Sequence, residues 1–239
     1  MSAVNKQPAI DVRDLSFHYE PELEPALQRI NLSVAHGEWI ALVGPNGTGK
    51  TTLCRLLCGS LQSWPGARLQ GSIHIGGIDR SAATTLDLAG QVGAVYQNPD
   101  DSLIQEYVVD ELAFGPENLR VPPEQIDKRI EEALNAVGME FALSERIFHL
   151  SGGLQQRIAI ASMLSMRPGV LIFDEAAANL DMEAEKMFKE TLLRLHRQGH
   201  TIVTTSSRLD TMAEAERIVL LDQGRIVADG SPAKMMAEP

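Results

Sequence analysis

Cysteine is scarce in this chain of 239 residues, which has only Cys54 and Cys58. Two thiols cannot build a disulfide framework, so a small secreted scaffold is not expected and a reducing compartment is. Aromatic residues supply 5% of the chain, so aliphatic side chains must carry most of the packing. Positive charge is also short: 21 Lys and Arg face 32 Asp and Glu, a net charge of −11. A global positive field for nucleic acid is therefore absent, and no nucleic-acid partner is expected. Long hydrophobic runs are missing. Trp39–Val43 is among the longest, far below the roughly 20 residues of a membrane-spanning helix. Met1–Ala9 lacks the charged-then-apolar pattern of a signal peptide. With 44% apolar and 22% charged residues, the chain reads as globular, with enough length for a substantial core.

Three regions follow from the pattern. Up to Gln97, short β-like runs mix with glycine turns. Ile10–Tyr19 and Ile30–Val34 alternate apolar and polar residues, as half-buried strands do. Trp39–Val43 is continuously apolar and ends at Gly44, which suits a strand buried on both faces. A helix is expected over Leu53–Cys58, and strands over Gly71–Ile78 and Val92–Tyr96. Residues 98–166 read as mostly helical. Ile126, Ile130, Leu134 and Val137 form one stripe, with Pro122-Pro123 as a start signal and Gly138 as a stop. A second helix is expected over Leu154–Leu164. Residues 167–239 return to strand and helix alternation: strands at Val170–Phe173, Thr201–Thr205 and Ile218–Leu221, a helix at Met182–Arg197. Such alternation implies an α/β fold with a mainly parallel sheet, interrupted by a helical insertion lobe.

The strongest local signal is Gly44-Pro45-Asn46-Gly47-Thr48-Gly49-Lys50-Thr51, a full match to the phosphate-loop pattern, with Thr52 following. Glycines let backbone N–H groups curl around phosphate oxygens, and the helix N-terminus behind them adds positive potential. Lys50 is expected to reach the β- and γ-phosphates, and the Thr51 hydroxyl to ligate Mg²⁺. A glycine turn that merely holds a lysine is the plainer alternative. A buried strand before the loop and a helix after it argue against that. Val170-Leu171-Ile172-Phe173-Asp174-Glu175 is an aliphatic strand ending in two carboxylates, at the sheet edge where ligands sit. Asp174 is expected to hold Mg²⁺ and Glu175 to polarise the attacking water.

Leu150-Ser151-Gly152-Gly153-Leu154-Gln155-Gln156-Arg157 lies a hundred residues after Lys50. It resembles the signature of ABC-type ATPases. The phosphate loop, this signature and the Asp-Glu strand, in this order, resemble that family over nearly the whole chain. The resemblance implies a phosphate-loop NTPase fold with a RecA-like parallel-sheet core, an N-terminal antiparallel β part and a helical lobe. It implies ATP and Mg²⁺ as ligands, Tyr19 stacked on adenine, and Gln97 touching Mg²⁺ and water while sensing a membrane partner. Ser151, Gly152 and Gly153 would dock on the γ-phosphate held by a second subunit, so each ATP lies between two chains. Simple helix capping is the bland reading of Ser151.

Gln97-Asn98-Pro99-Asp100-Asp101-Ser102 and Asp110-Glu111-Leu112-Ala113-Phe114-Gly115-Pro116 look like the ATPase subunits of energy-coupling-factor importers. These take up vitamins or transition metal ions with a membrane coupling protein and a substrate-binding membrane protein. That implies a peripheral protein on the cytoplasmic face of the membrane. Two rivals remain: a soluble ABC-type ATPase outside transport, and a regulatory subunit that binds ATP with little hydrolysis.

Three positions depart from the family pattern. The switch histidine after the last core strand is replaced by Ser207. His200 lies at the opposite end of that strand, roughly 20 Å away in extended chain. Ala178-Asn179-Leu180-Asp181 stands where Ser-x-Leu-Asp is usual, and Leu154 where glutamine is usual. A slow site on this chain's own phosphate loop is expected, completed by a homologous or identical partner chain. Few residues follow Gly224-Arg225-Ile226-Val227, which fits a short family member, a shortened chain or the first half of a tandem protein. Cys54 and Cys58, four apart, read as core residues rather than metal ligands. His18, His36, His74, His149 and His196 show no ligand spacing, and Met235-Met236 reads as a frayed end.

Overall fold

The computed structural model of the chain describes residues 7–61, 64–207 and 214–237. The first part contains β1 (Ile10–His18), β2 (Leu27–Val34), β3 (Trp39–Val43), α1 (Lys50–Leu57), β4 (Arg68–Ile75), β5 (Ile78–Asp79), α2 (Thr85–Ala89) and β6 (Val92–Val95). Three longer helices follow, α3 (Val108–Asn118), α4 (Pro123–Val137) and α5 (Gly152–Ser165). The last part holds β7 (Val170–Asp174), α6 (Met182–Arg197), β8 (Thr201–Ser206), β9 (Arg217–Asp222), β10 (Arg225–Gly230) and α7 (Pro232–Ala237).

Two sheets organise these elements. β2-β1-β4-β5 is antiparallel, and the central sheet runs β10-β9-β3-β8-β7-β6. Its five strands from β9 to β6 are parallel, with β10 added antiparallel at the edge through the hairpin at Gln223-Gly224. Successive side chains of a strand point to opposite faces, and the two cores follow that rule. Trp39, Ala41 and Val43 join the core shared with α4, α5 and α6, while Ile40 and Leu42 join the core shared with α1 and the antiparallel sheet. Leu171 and Phe173 likewise part from Val170 and Ile172. Each buried Val, Leu, Ile or Phe among them is worth about 1.5–3 kcal/mol. A strand that feeds two cores has no polar face, which is why Trp39–Val43 reads as one apolar run.

Most expected elements stand within a few residues of their places. α1 begins at Lys50 rather than Leu53, because the loop itself turns into the helix. β4 begins at Arg68, earlier than Gly71, and pairs with β1 through a register shift between Arg13 and Ser16. Alternation slips at that point, and Asp14 has a φ of 45°. In the lobe, Ile126, Ile130, Leu134 and Val137 are buried as the stripe requires, and Gly138 closes α4 at φ +67°, a left-handed cap that glycine adopts freely. The chain end differs from expectation: it forms α7, and Met235 packs against the core. The side chain of Met236 lies outside the described residues.

Candidate active site

The C-terminal ends of β3, β7 and β6 and the start of α1 surround a cleft of about 850 Å³. Its lining includes Tyr19, Asn46, Lys50, Thr51, Gln97 and Glu175, with Gly47, Gly49, Thr52 and Asp174. Residues read separately from four stretches of sequence thus meet in one place. The phosphate loop is shaped by tight approach to its surroundings. At Gly49 φ is +103°, and a Cβ would stand 2.7 Å from both the Ala26 carbonyl oxygen and Leu27 Cδ2. Gly49 caps α1, whose first turn carries no acidic residue, so the helix N-terminus keeps its positive end for an anion.

Lys50 is only 4% exposed. Its ammonium donates to the carbonyl oxygens of Gly44 (2.8 Å) and Pro45 (3.1 Å) and lies 3.4 Å from Glu175 Oε1. Thr48 Oγ1 donates to the Pro45 oxygen at 2.9 Å, closing the loop on itself. The Tyr19 hydroxyl is 3.1 Å from Thr52 Oγ1, and its ring meets Phe17 and Trp64 edge to face at 5.0 and 5.5 Å. The cleft therefore presents both an aromatic platform and a buried cation beside a carboxylate.

Sequence reasoning missed Thr205. This residue stands opposite Asp174 in the parallel β7–β8 pair and is 3% exposed. Its hydroxyl donates to Asp174 Oδ1 at 2.7 Å and accepts from the Glu175 backbone N–H at 2.9 Å. One hydroxyl thus fixes both acidic residues. Glu175 has φ 51°, a left-handed conformation that costs a non-glycine residue of order 1–3 kcal/mol. That turn follows β7 directly and leaves the carboxylate beside Lys50. Hydroxyls in the run Thr201-Ile202-Val203-Thr204-Thr205 were the available signal, but only strand pairing selects Thr205.

The structure does not bring every candidate to the cleft. Ser207 follows the last residue of β8 and borders a separate cavity of about 260 Å³, which it shares with Glu175 and Phe188. His200 precedes the first residue of β8, at the opposite sheet edge, and burial holds its pKa below the usual histidine value. Ser151, Gly152 and Gly153 open α5 on the helical lobe, away from the cleft lining. Ser151 is exposed, and its side chain makes no capping hydrogen bond. Cys54 is fully buried, and burial raises its thiol pKa; that of Cys58 is pushed up to about 12, again chiefly by burial. Both therefore stay protonated core groups. Among the described residues, no three His, Cys, Asp or Glu gather as a metal cluster, and no helix is long and apolar enough to cross a membrane.

Comparison with known proteins agrees with this geometry. Residues 27–178 match the family model described as ABC transporter. An energy-coupling factor transporter ATP-binding protein, EcfA1 of Halalkalibacterium halodurans, is 38% identical over 95% of this chain and 80% of its own length. An ABC transporter ATP-binding protein of Methanosarcina acetivorans is 40% identical, but this chain spans 35% of its length. The structure of cbiO1 from Clostridium perfringens, part of the ABC transporter complex cbiONQ, superposes with a TM-score of 0.85. It is 31% identical, over 97% of this chain and 92% of that one. The chain belongs to the ABC transporter family, as an ATP-binding subunit of the energy-coupling-factor type. It has the fold of these ATPases and is an ATP-hydrolysing enzyme.

Proposed function

We propose that this chain powers an importer of the energy-coupling-factor type, for a vitamin or a transition metal ion, from the cytoplasmic face of the membrane. The carrying observation is the 3.4 Å approach of Lys50 to Glu175 across a cleft that also presents Thr51, Gln97 and Asp174. In this reading residues 1–97 and 167–239 form the nucleotide-binding core and residues 98–166 the signature lobe. Tyr19 supports the adenine ring, and the N–H groups of Gly47, Gly49 and their neighbours cradle the phosphates. Lys50 exchanges its carbonyl partners for β- and γ-phosphate oxygens.

Thr51, Gln97 and Asp174 offer one hydroxyl, one carboxamide and one carboxylate, a donor set that suits Mg²⁺ shared with phosphates. When bound, that ion neutralises charge on the phosphate oxygens. Water attacks the γ-phosphorus as the bond to the ADP oxygen breaks, and Glu175 accepts the proton the water loses. Most of the catalysis is positioning and charge stabilisation.

The surface supports a reading of the partners. Ile104, Phe114, Phe141 and Phe148 of the lobe are 64%, 42%, 66% and 58% exposed, apolar side chains that a partner could cover. They support docking on membrane proteins, a coupling protein with a substrate-binding protein beside it, over a soluble role outside transport. The uncapped Ser151 supports a second ATPase chain whose nucleotide completes the site. Ser207, bordering the other cavity, supports the narrower reading that this chain's own site turns over slowly.

The experiment is ATP turnover in the membrane-reconstituted complex, native chain against Glu175→Gln. Loss by a factor of about 10²–10⁴ is expected. Turnover that persists assigns hydrolysis to a companion's site and leaves this chain as a nucleotide-gated clamp.

A further inference from the structure

The signature helix reaches the backbone beside the cleft through a buried side chain. Gln156 of α5 is 1% exposed, and its Nε2 donates to two carbonyl oxygens, Tyr96 at 3.1 Å and Ala176 at 2.9 Å. Tyr96 immediately precedes Gln97, and Ala176 immediately follows Glu175. We infer that Gln156 is a positioning residue: through one carboxamide, the helical lobe sets the backbone that carries both the water-polarising carboxylate and the metal-side glutamine. This rests on the roles proposed above for Glu175 and Gln97.

The chemistry of the carboxamide fits the task. A single sp² nitrogen carries two N–H groups splayed in one plane, so it ties two acceptors at once. Gln156 Oε1 is buried with no hydrogen-bond partner. An unpaired buried acceptor is a cost, and a side chain placed only for stability would avoid it. The two donors are satisfied at the expense of the acceptor.

The same helix is fastened to the rest of the lobe. Ser162 Oγ donates to Glu111 Oε1 at 3.2 Å, and Glu111 Oε2 accepts from the N–H groups of Ile104 and Gln105, both at 2.9 Å. Ser165 Oγ donates to the Leu112 oxygen at 2.9 Å. Displacement of α3 therefore moves α5, and displacement of α5 pulls on residues 96 and 176. Closure of the lobe reaches Glu175 and Gln97 through a linkage of buried and part-buried hydrogen bonds.

Gln156→Met removes both donors and keeps the volume. The complex is assayed with the phosphate-loop lysine of any companion ATPase chain replaced by alanine. The expected result is a kcat about 10- to 100-fold lower, since small misplacements of catalytic groups have that effect. Affinity for a fluorescent ATP analogue should stay within about twofold, a split that general damage does not produce. A kcat within about twofold of native overturns the inference, as does a parallel loss of ATP affinity and kcat.

Should Gln156→Met fail to fold, hydrogen exchange on the native complex decides. Amides of residues 96–98, 152–158 and 175–177 should change protection together when a non-hydrolysable ATP analogue is added. Independent changes overturn the linkage. With the companion's phosphate-loop lysine likewise replaced, unchanged turnover in Glu175→Gln sinks the assignment of the base itself. A loss there beside normal turnover in Gln156→Met sinks the linkage alone.

Discussion

The nucleotide cleft and the signature turn are built in opposite ways. At the cleft, Lys50 is buried, holds two loop carbonyls and faces Glu175, and Thr205 locks both carboxylate residues from the next strand. At the signature, Ser151 and Gly152 are exposed, no side-chain cap satisfies the start of α5, and nothing stands within 4 Å of a Cβ placed on Gly152. The first is a half-site whose internal bonds are all made within one chain. The second is a helix N-terminus without a side-chain cap, a place that can receive an anion. One chain therefore carries a complete binding half and an open docking half, and the buried Gln156 carboxamide lies between them.

Removing the Thr205 hydroxyl is the most severe test of the first half. Thr205→Val keeps shape and burial but leaves Asp174 Oδ1 and the Glu175 N–H unpaired. Expected are a turnover loss of about 10- to 100-fold and a stability loss of about 1–3 kcal/mol, read by steady-state assay and denaturant titration. Native turnover in that variant would dissolve the distinction between the two halves.

In the lobe, Glu111→Gln weakens a buried carboxylate that accepts two backbone N–H bonds and a hydroxyl. A stability loss of about 1–3 kcal/mol is expected, with faster hydrogen exchange at Ile104 and Gln105. ATP affinity should not move, because Glu111 does not line the cleft.

Ser151→Ala sharpens the comparison further. With no capping bond to lose, the isolated chain should change stability by less than about 0.5 kcal/mol, whereas the assembled complex should lose turnover. A destabilised isolated chain would instead make Ser151 a simple helix cap. The smallest effect is expected from Lys189→Ala, which removes a half-buried ion pair to Glu214 at 2.7 Å. Thermal unfolding should report about 1 kcal/mol or less.

Legibility in the sequence divided along the same line. The phosphate loop, Asp174-Glu175 and the signature are contiguous runs, and each was visible because its chemistry needs neighbouring residues. Trp39–Val43, Pro123–Val137 and Met182–Arg197 matched observed elements end to end, since a double-buried strand and an amphipathic helix each leave a full period in the chain. The start of α1 was set too late because Lys50 and Thr51 are polar, and polarity hid the first turn. Thr205 and Gln156 escaped for another reason. Each acts on backbone groups far away in sequence, and neither is part of a contiguous pattern whose chemistry requires it.

By itself the sequence determined the local devices: a loop that accepts phosphate, a strand that ends in acid, a helix whose start can receive an anion. These depend on residue type and spacing over a few positions. Only the tertiary structure decided that Lys50 faces Glu175, that Thr205 serves both acids, and that Ser207 borders a different cavity. Such relations depend on strand order and on β7–β8 register, which are set by the packing of two cores against one sheet.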